Sequence, residues 1–290
     1  MALCHVDRAT GAGEGSGVTT MSRVPVAGGA LTVAVWGDPG VQGPPVLAIH
    51  GITASHLAWG PVAERTPARV IAPDLRGRGG SADVPSPYGM IAHAQDCVAV
   101  LDALDIAEAT VVGHSMGGFV AAVLAHRHPS RVGRLVLVDG GAPLPPVDGD
   151  LESLLGPAVR RLDMRFASRA EYRDLWRQHP AFGSWTPAIE SYVDYDLTGT
   201  EPALRSKVNR AAVEADFLDL HQGAAPRDAY AALPGDTVFL RAERGLLNEP
   251  VPLYPDQDAI ALAVTTVPGT NHYSILFGDD GADAVAAALS

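Results

Sequence analysis

The chain has 290 residues, 47% of them hydrophobic and 19% charged, which supplies one large apolar core and excludes wholesale disorder. A formal net charge of −12 works against polyphosphate backbones and anionic lipid surfaces, so neither nucleic acid nor membrane is expected as a partner. No apolar run reaches the length of a membrane span or a secretory signal, and the widely separated Cys4 and Cys97 read as free thiols, so a cytoplasmic protein is expected.

Residues 1–21 are rich in Gly, Ala, Ser and Thr without periodicity and read as a loose tail. From residue 22 to 143 short apolar runs alternate with helical patterns, the signature of an α/β fold with a mostly parallel, doubly wound sheet. Strands are expected at 22–26, 31–36, 45–50 and 69–72, the first two pairing as a hairpin across Gly28-Gly29. A helix is expected over 91–104, with apolar Ala94, Val98, Leu101 and Leu104 at helical spacing.

The next strand, 110–113, runs straight into Gly113-His114-Ser115-Met116-Gly117-Gly118, and a helical stretch follows from Phe119. Strand, sharp turn and helix form the setting of a nucleophile elbow, in which the serine is held in a strained conformation and needs small neighbours two residues away on either side. Gly113 and Gly117 meet that need. A further strand is expected at 134–138.

After residue 143 the alternation stops. Residues 144–230 read as an inserted helical cap, broken at Gly156-Pro157, His179-Pro180, Thr186-Pro187 and Gly199-Thr200, with Ser168-Arg169-Ala170-Glu171 resembling a capping box. Strands resume at 237–241 and 264–267, so the core is expected to comprise 22–143 and 231–290.

A serine hydroxyl is a weak nucleophile at neutral pH and needs a base, which needs an orienting acid. Pro268-Gly269-Thr270-Asn271-His272-Tyr273 follows the last strand and precedes the C-terminal helix, which places His272, the candidate base, at the C-terminal edge of the sheet. Two backbone donors are expected to face a developing oxyanion. One is the N–H of Met116; the other is the N–H of Ile52, after the tight turn at Gly51, with His50 holding that loop by hydrogen bonds. No cluster has metal-ligand spacing and the sole lysine, Lys207, is not in a glycine-rich turn, so no metal or cofactor is expected.

Together Gly-His-Ser-Met-Gly-Gly, His50-Gly51, the stretch from Asp74 to Ser81 (Asp-Leu-Arg-Gly-Arg-Gly-Gly-Ser) and Asn271-His272 resemble the α/β-hydrolase superfamily from about residue 22 onward. The resemblance implies a lidded serine hydrolase and a structural role for Asp74 and Arg76. It departs from the common pattern at the acid, because Gly245 stands about where many relatives have an aspartate. A branch that includes some haloalkane dehalogenases carries the acid after the strand following the nucleophile helix, and here that strand ends in Asp139. Asp139 is therefore the candidate acid, with Glu243 as competitor.

Trp176, Phe166 and Tyr192 of the cap are candidate substrate contacts. The resulting expectation is a monomeric or dimeric enzyme that cleaves a small apolar or moderately polar carboxylic ester or lactone through an acyl-serine. A carbon–carbon bond hydrolase or thioesterase with the same triad, or a slow-turnover receptor on this fold, is the alternative.

Overall fold

The computed structural model describes residues 20–38, 40–41, 43–144, 157–258 and 260–290. The expected tail lies outside the described residues up to position 19, as do Cys4 and residues 145–156 of the expected cap. Thr20 and Met21 already belong to the first strand, so the sheet begins two residues earlier than the composition suggested.

In chain order the strands are β1 (Thr20–Val26), β2 (Gly29–Trp36), β3 (Val46–Ile49), β4 (Val70–Pro73), β5 (Ala109–His114), β6 (Val132–Val138), β7 (Leu197–Thr198), β8 (Arg205–Ser206), β9 (Val238–Ala242) and β10 (Val264–Val267). Eight of them form one sheet in the order β1-β2-β4-β3-β5-β6-β9-β10, while β7 and β8 pair separately. β2 is antiparallel to both β1 and β4, and the remaining neighbours are parallel. The hairpin between β1 and β2 turns at Ala27-Gly28, with Val26 opposite Gly29.

The central strands have no polar face because both faces are covered. Leu47 and Ile49 of β3, Val111 of β5, and Leu135 and Leu137 of β6 enter one apolar core. The alternate residues Val46, Ala48, Val112, Val136 and Val138 enter the core on the other side. A strand buried on both faces reads as a continuous aliphatic run, which is why the sequence pattern is so plain there. The helix Met90–Ala103 matches the expected one within a residue at each end. The helix Met116–Arg127 is buried at every residue from Met116 to Ala125.

Between β6 and β9 the described insertion is mostly helical. Helices at Arg169–Arg177 and Pro187–Tyr195 begin at Ser168 and Thr186, whose side chains accept the backbone N–H three residues on. Glu171 reaches back one residue further than a capping box requires, to Ala167 N–H. The β7–β8 hairpin was not expected, since two residues per strand show no alternation to read. The helix Ala224–Ala231, expected as part of the cap, packs against Met116–Arg127 through the core that includes Ala229. Its predecessor, Arg210–Gln222, is tied to the core by Asp216, which lies 2.5 Å from Arg78 and 2.9 Å from His93, all three buried.

Candidate active site

β5 delivers Ser115 to the C-terminal edge of the sheet, and the chain must reverse there at once to enter the helix at Met116. The reversal puts Ser115 at φ 55°, ψ −125°, a left-handed conformation that costs a non-glycine residue about 1–3 kcal/mol and persists only where packing enforces it. The enforcement is visible at its neighbours. A Cβ on Gly113 would stand 2.1 Å from Gly117 O, and one on Gly117 would stand 2.1 Å from Ile49 O. Both sites therefore exclude any side chain. A Cβ on Gly118 would stand 2.5 Å from Gly140 O, so the backbone after β6 also packs against this turn. Ser115 is partly exposed while its neighbours on either side are buried.

His272 stands on the loop after β10, and Asp139 at the end of β6. The His272 Nδ1 and Asp139 Oδ2 are 2.6 Å apart, with Asp139 fully buried. The second carboxylate oxygen accepts the Ala242 N–H at 3.1 Å, and the Asp139 N–H donates to Leu240 O at 2.7 Å. Asp139 too is left-handed, at φ 45°, which turns its side chain off the strand toward the histidine. Glu243 is exposed and accepts the Gly269 N–H at 2.8 Å. Gly245, where the expected aspartate is missing, is buried, and a Cβ there would meet Glu249 Oε2 at 2.5 Å and Val251 O at 2.6 Å. The loop after β9 thus has no room for a side chain at that position.

The loop after β3 runs against the serine, for a Cβ on Gly51 would come within 3.2 Å of Ser115 Cβ and 3.6 Å of its Oγ. Ile52 and Ser115 line the same two cavities. The Met116 N–H belongs to the first turn of its helix, where backbone donors have no intrahelical partner. His50 fixes the loop as expected: its Nδ1 donates to Gly51 O at 2.8 Å and its Nε2 accepts the Leu75 N–H at 2.9 Å. Burial pushes its imidazole down to about 4, so the neutral tautomer that makes both bonds is the one favoured.

The family pattern described as alpha/beta hydrolase fold matches residues 44–183. Over 92% or more of the chain, solved structures of that fold superpose on it. The chain has the α/β-hydrolase fold, and just under half of it matches that family's pattern. Among similar proteins, an uncharacterised protein of Mycobacterium tuberculosis is 43% identical over 102 residues, 34% of this chain and 30% of that one. A 2-hydroxymuconate semialdehyde hydrolase of Pseudomonas sp. strain CF600 is 38% identical over 127 residues, 42% of this chain and 45% of that one. The aligned stretches thus span less than half the length of those relatives. A thioesterase domain from the curacin biosynthetic pathway has a TM-score of 0.70 at 23% identity, covering 94% of this chain and 99% of that one, a likeness of fold.

Within this fold the expected cap contacts separate. Tyr192 lines a cavity together with Ser115 and His272. Phe166 does not reach the serine; it is buried against Tyr172 and bridges to Leu204 inside the insertion. Trp176 also packs within the insertion, beneath the Arg161 guanidinium, and lines cavities away from Ser115. A helical insertion needs an apolar core of its own, and these two large rings supply it. Asp74 and Arg76 hold loops, as expected. Asp74 accepts from His56, Gly80 and Tyr195, and Arg76 pairs with Asp96. Burial raises the Asp74 carboxyl, but the His56 imidazole beside it more than offsets this and holds it well below the usual range.

Two motif residues have roles in the site that the sequence did not show. His114 Nε2 donates to the His272 backbone carbonyl at 2.8 Å, with the two rings 4.6 Å apart. Burial, reinforced by the neighbouring His272, pushes its titration well down, so it stays neutral. Asn271 accepts the Tyr273 and Ser274 N–H groups and donates to Ala181 O at 3.0 Å, pinning the histidine loop to the insertion. Their sequence signal was adjacency alone, His114 beside the serine and Asn271 beside the histidine. Among the described residues no group of three or more His, Cys, Asp or Glu could hold a metal ion, and no helix is long and apolar enough to cross a membrane.

Proposed function

We propose that this protein of the α/β-hydrolase fold is a serine esterase or lactonase working through an acyl-serine intermediate, with Ser115 as nucleophile, His272 as base and Asp139 as orienting acid. The observation that carries the proposal is the buried 2.6 Å contact between His272 Nδ1 and Asp139, made beside a serine on a strained elbow. With Nδ1 engaged by the carboxylate, Nε2 is the nitrogen left to exchange protons.

Ser115 Oγ attacks the acyl carbon as its proton passes to His272 Nε2, and the carbonyl electrons move onto oxygen. The Ile52 and Met116 N–H groups stabilise that oxyanion. As the carbonyl re-forms, the bond to the leaving oxygen breaks and His272 returns the proton to it, freeing the alcohol. Water then gives its proton to His272 and attacks the acyl-serine, and the acid departs as Ser115 regains the proton. The helices between β6 and β9 act as a cap over this chemistry, with Tyr192 as a substrate contact.

Acid release from esters and lactones, followed by titration for wild type and Ser115→Ala, tests the reading. Loss on the order of a millionfold in the variant is expected, and substantial residual turnover contradicts it. A second reading has support from the semialdehyde hydrolase, 38% identical over its aligned stretch: the same residues cleave a carbon–carbon bond next to a carbonyl. Turnover of a vinylogous diketone by an enzyme inert toward every ester selects that reading.

A further inference from the structure

Ser115 stands where two cavities of unequal size meet. The larger, about 230 Å³, is walled by Phe119, Leu144, Phe217, Leu220 and Leu253, with Met116 at its edge. The smaller, about 50 Å³, is walled by Ala54, Tyr192, Tyr273, Leu276 and Phe277. Ile52 and Leu246 border both. His272 belongs to the wall of the smaller one, and among the described residues it is not part of the lining of the larger.

That asymmetry has a chemical consequence, which rests on the acyl-serine reading above. In the acylation step the leaving oxygen must receive its proton from His272, so it has to come within hydrogen-bond reach of the imidazole, about 2.6–3.2 Å. The leaving group therefore projects into the cavity that His272 borders. The acyl substituent, on the opposite side of the reacting carbon, projects into the other. We infer that the larger, apolar cavity holds the acyl part and the smaller one the leaving alcohol. The natural substrate class is then an ester of a bulky apolar acid with a small alcohol. Leu246 is the specificity-determining wall between the two, presented by the tight loop that leaves no room for a side chain at Gly245.

Two ester series test this on the intact enzyme: methyl esters from acetate to octanoate, and octanoate esters from methyl to hexyl. The expected kcat/KM rises at least tenfold along the first series and falls at least tenfold along the second. Leu246→Ala is expected to reduce the penalty on the hexyl ester at least fivefold, and Leu253→Trp to remove the gain from acetate to octanoate. The reverse ranking, or no dependence on either side, overturns the assignment. Labelling of Ser115 by a fluorophosphonate separates the two levels. An enzyme that labels but hydrolyses no ester sinks the substrate assignment while sparing the serine chemistry, and failure to label sinks both.

Discussion

At the scale of single residues, the decisive contrast is between two carboxylates. Asp139 is buried and spends one oxygen on His272 and the other on the Ala242 N–H; Glu243 is exposed and caps the Gly269 N–H. Asp139→Asn keeps the shape but presents the wrong hydrogen-bonding pattern to the imidazole, and a fall in kcat of about 10⁴-fold is expected. Glu243→Gln is expected to leave kcat within about twofold; equal losses in the two variants contradict the assignment. His114→Phe strips a buried carbonyl of its donor, at about 1–3 kcal/mol, and is expected to lower kcat roughly tenfold, with His114→Gln restoring most of it. In the sequence, Ser115 was legible because it lies in a Gly-x-Ser-x-Gly turn between a strand and a helix, and His272 because it follows the last strand and precedes the C-terminal helix. The acid was legible only as two alternatives, since a carboxylate's partner depends on which strands become neighbours. β6 and β9 do, with Val138 opposite Leu240.

At the scale of elements, the elbow and the strap around Asp216 fix the machinery in place. Gly117→Ala would force a methyl group to 2.1 Å from Ile49 O, and it is expected to destabilise the fold by more than about 2 kcal/mol in denaturant unfolding. Asp216→Ala leaves the Arg78 guanidinium buried beside His93 without its carboxylate. The expected cost is about 3–5 kcal/mol, with the helix Arg210–Gln222 gaining rapid amide exchange; unchanged exchange there contradicts the strap. The strands were legible because burial on both faces forces uninterrupted aliphatic runs, and one helix start because Ser168 announces it, whereas Thr186-Pro187, read as a break, in fact opens a helix. The interior of the insertion was not. Aromatic residues that line a pocket and those that fill a helical core have the same spacing, which is how Phe166 and Trp176 came to be grouped with Tyr192.

At the scale of the whole molecule, buried neutral imidazoles set the acid limit of stability. His50 titrates near 4 in the fold because burial penalises its cation, against an ordinary value of 6.5. Between those values the unfolded chain binds the extra proton, so this contribution is complete above about pH 6.5 and is lost as the pH falls toward 4. Its size is on the order of 3 kcal/mol, and His114, pushed down by the same burial, acts in the same direction. The melting temperature is therefore expected to drop between pH 7 and pH 4.5, and a flat profile contradicts this. The central claim, that Ser115 is activated by His272 and Asp139, is tested most directly by fluorophosphonate labelling followed by peptide mass analysis. The expected result is one adduct, on Ser115, formed at least a hundredfold more slowly in His272→Ala and Asp139→Asn and absent from Ser115→Ala. An adduct on another residue, or labelling indifferent to the loss of His272, would contradict the account.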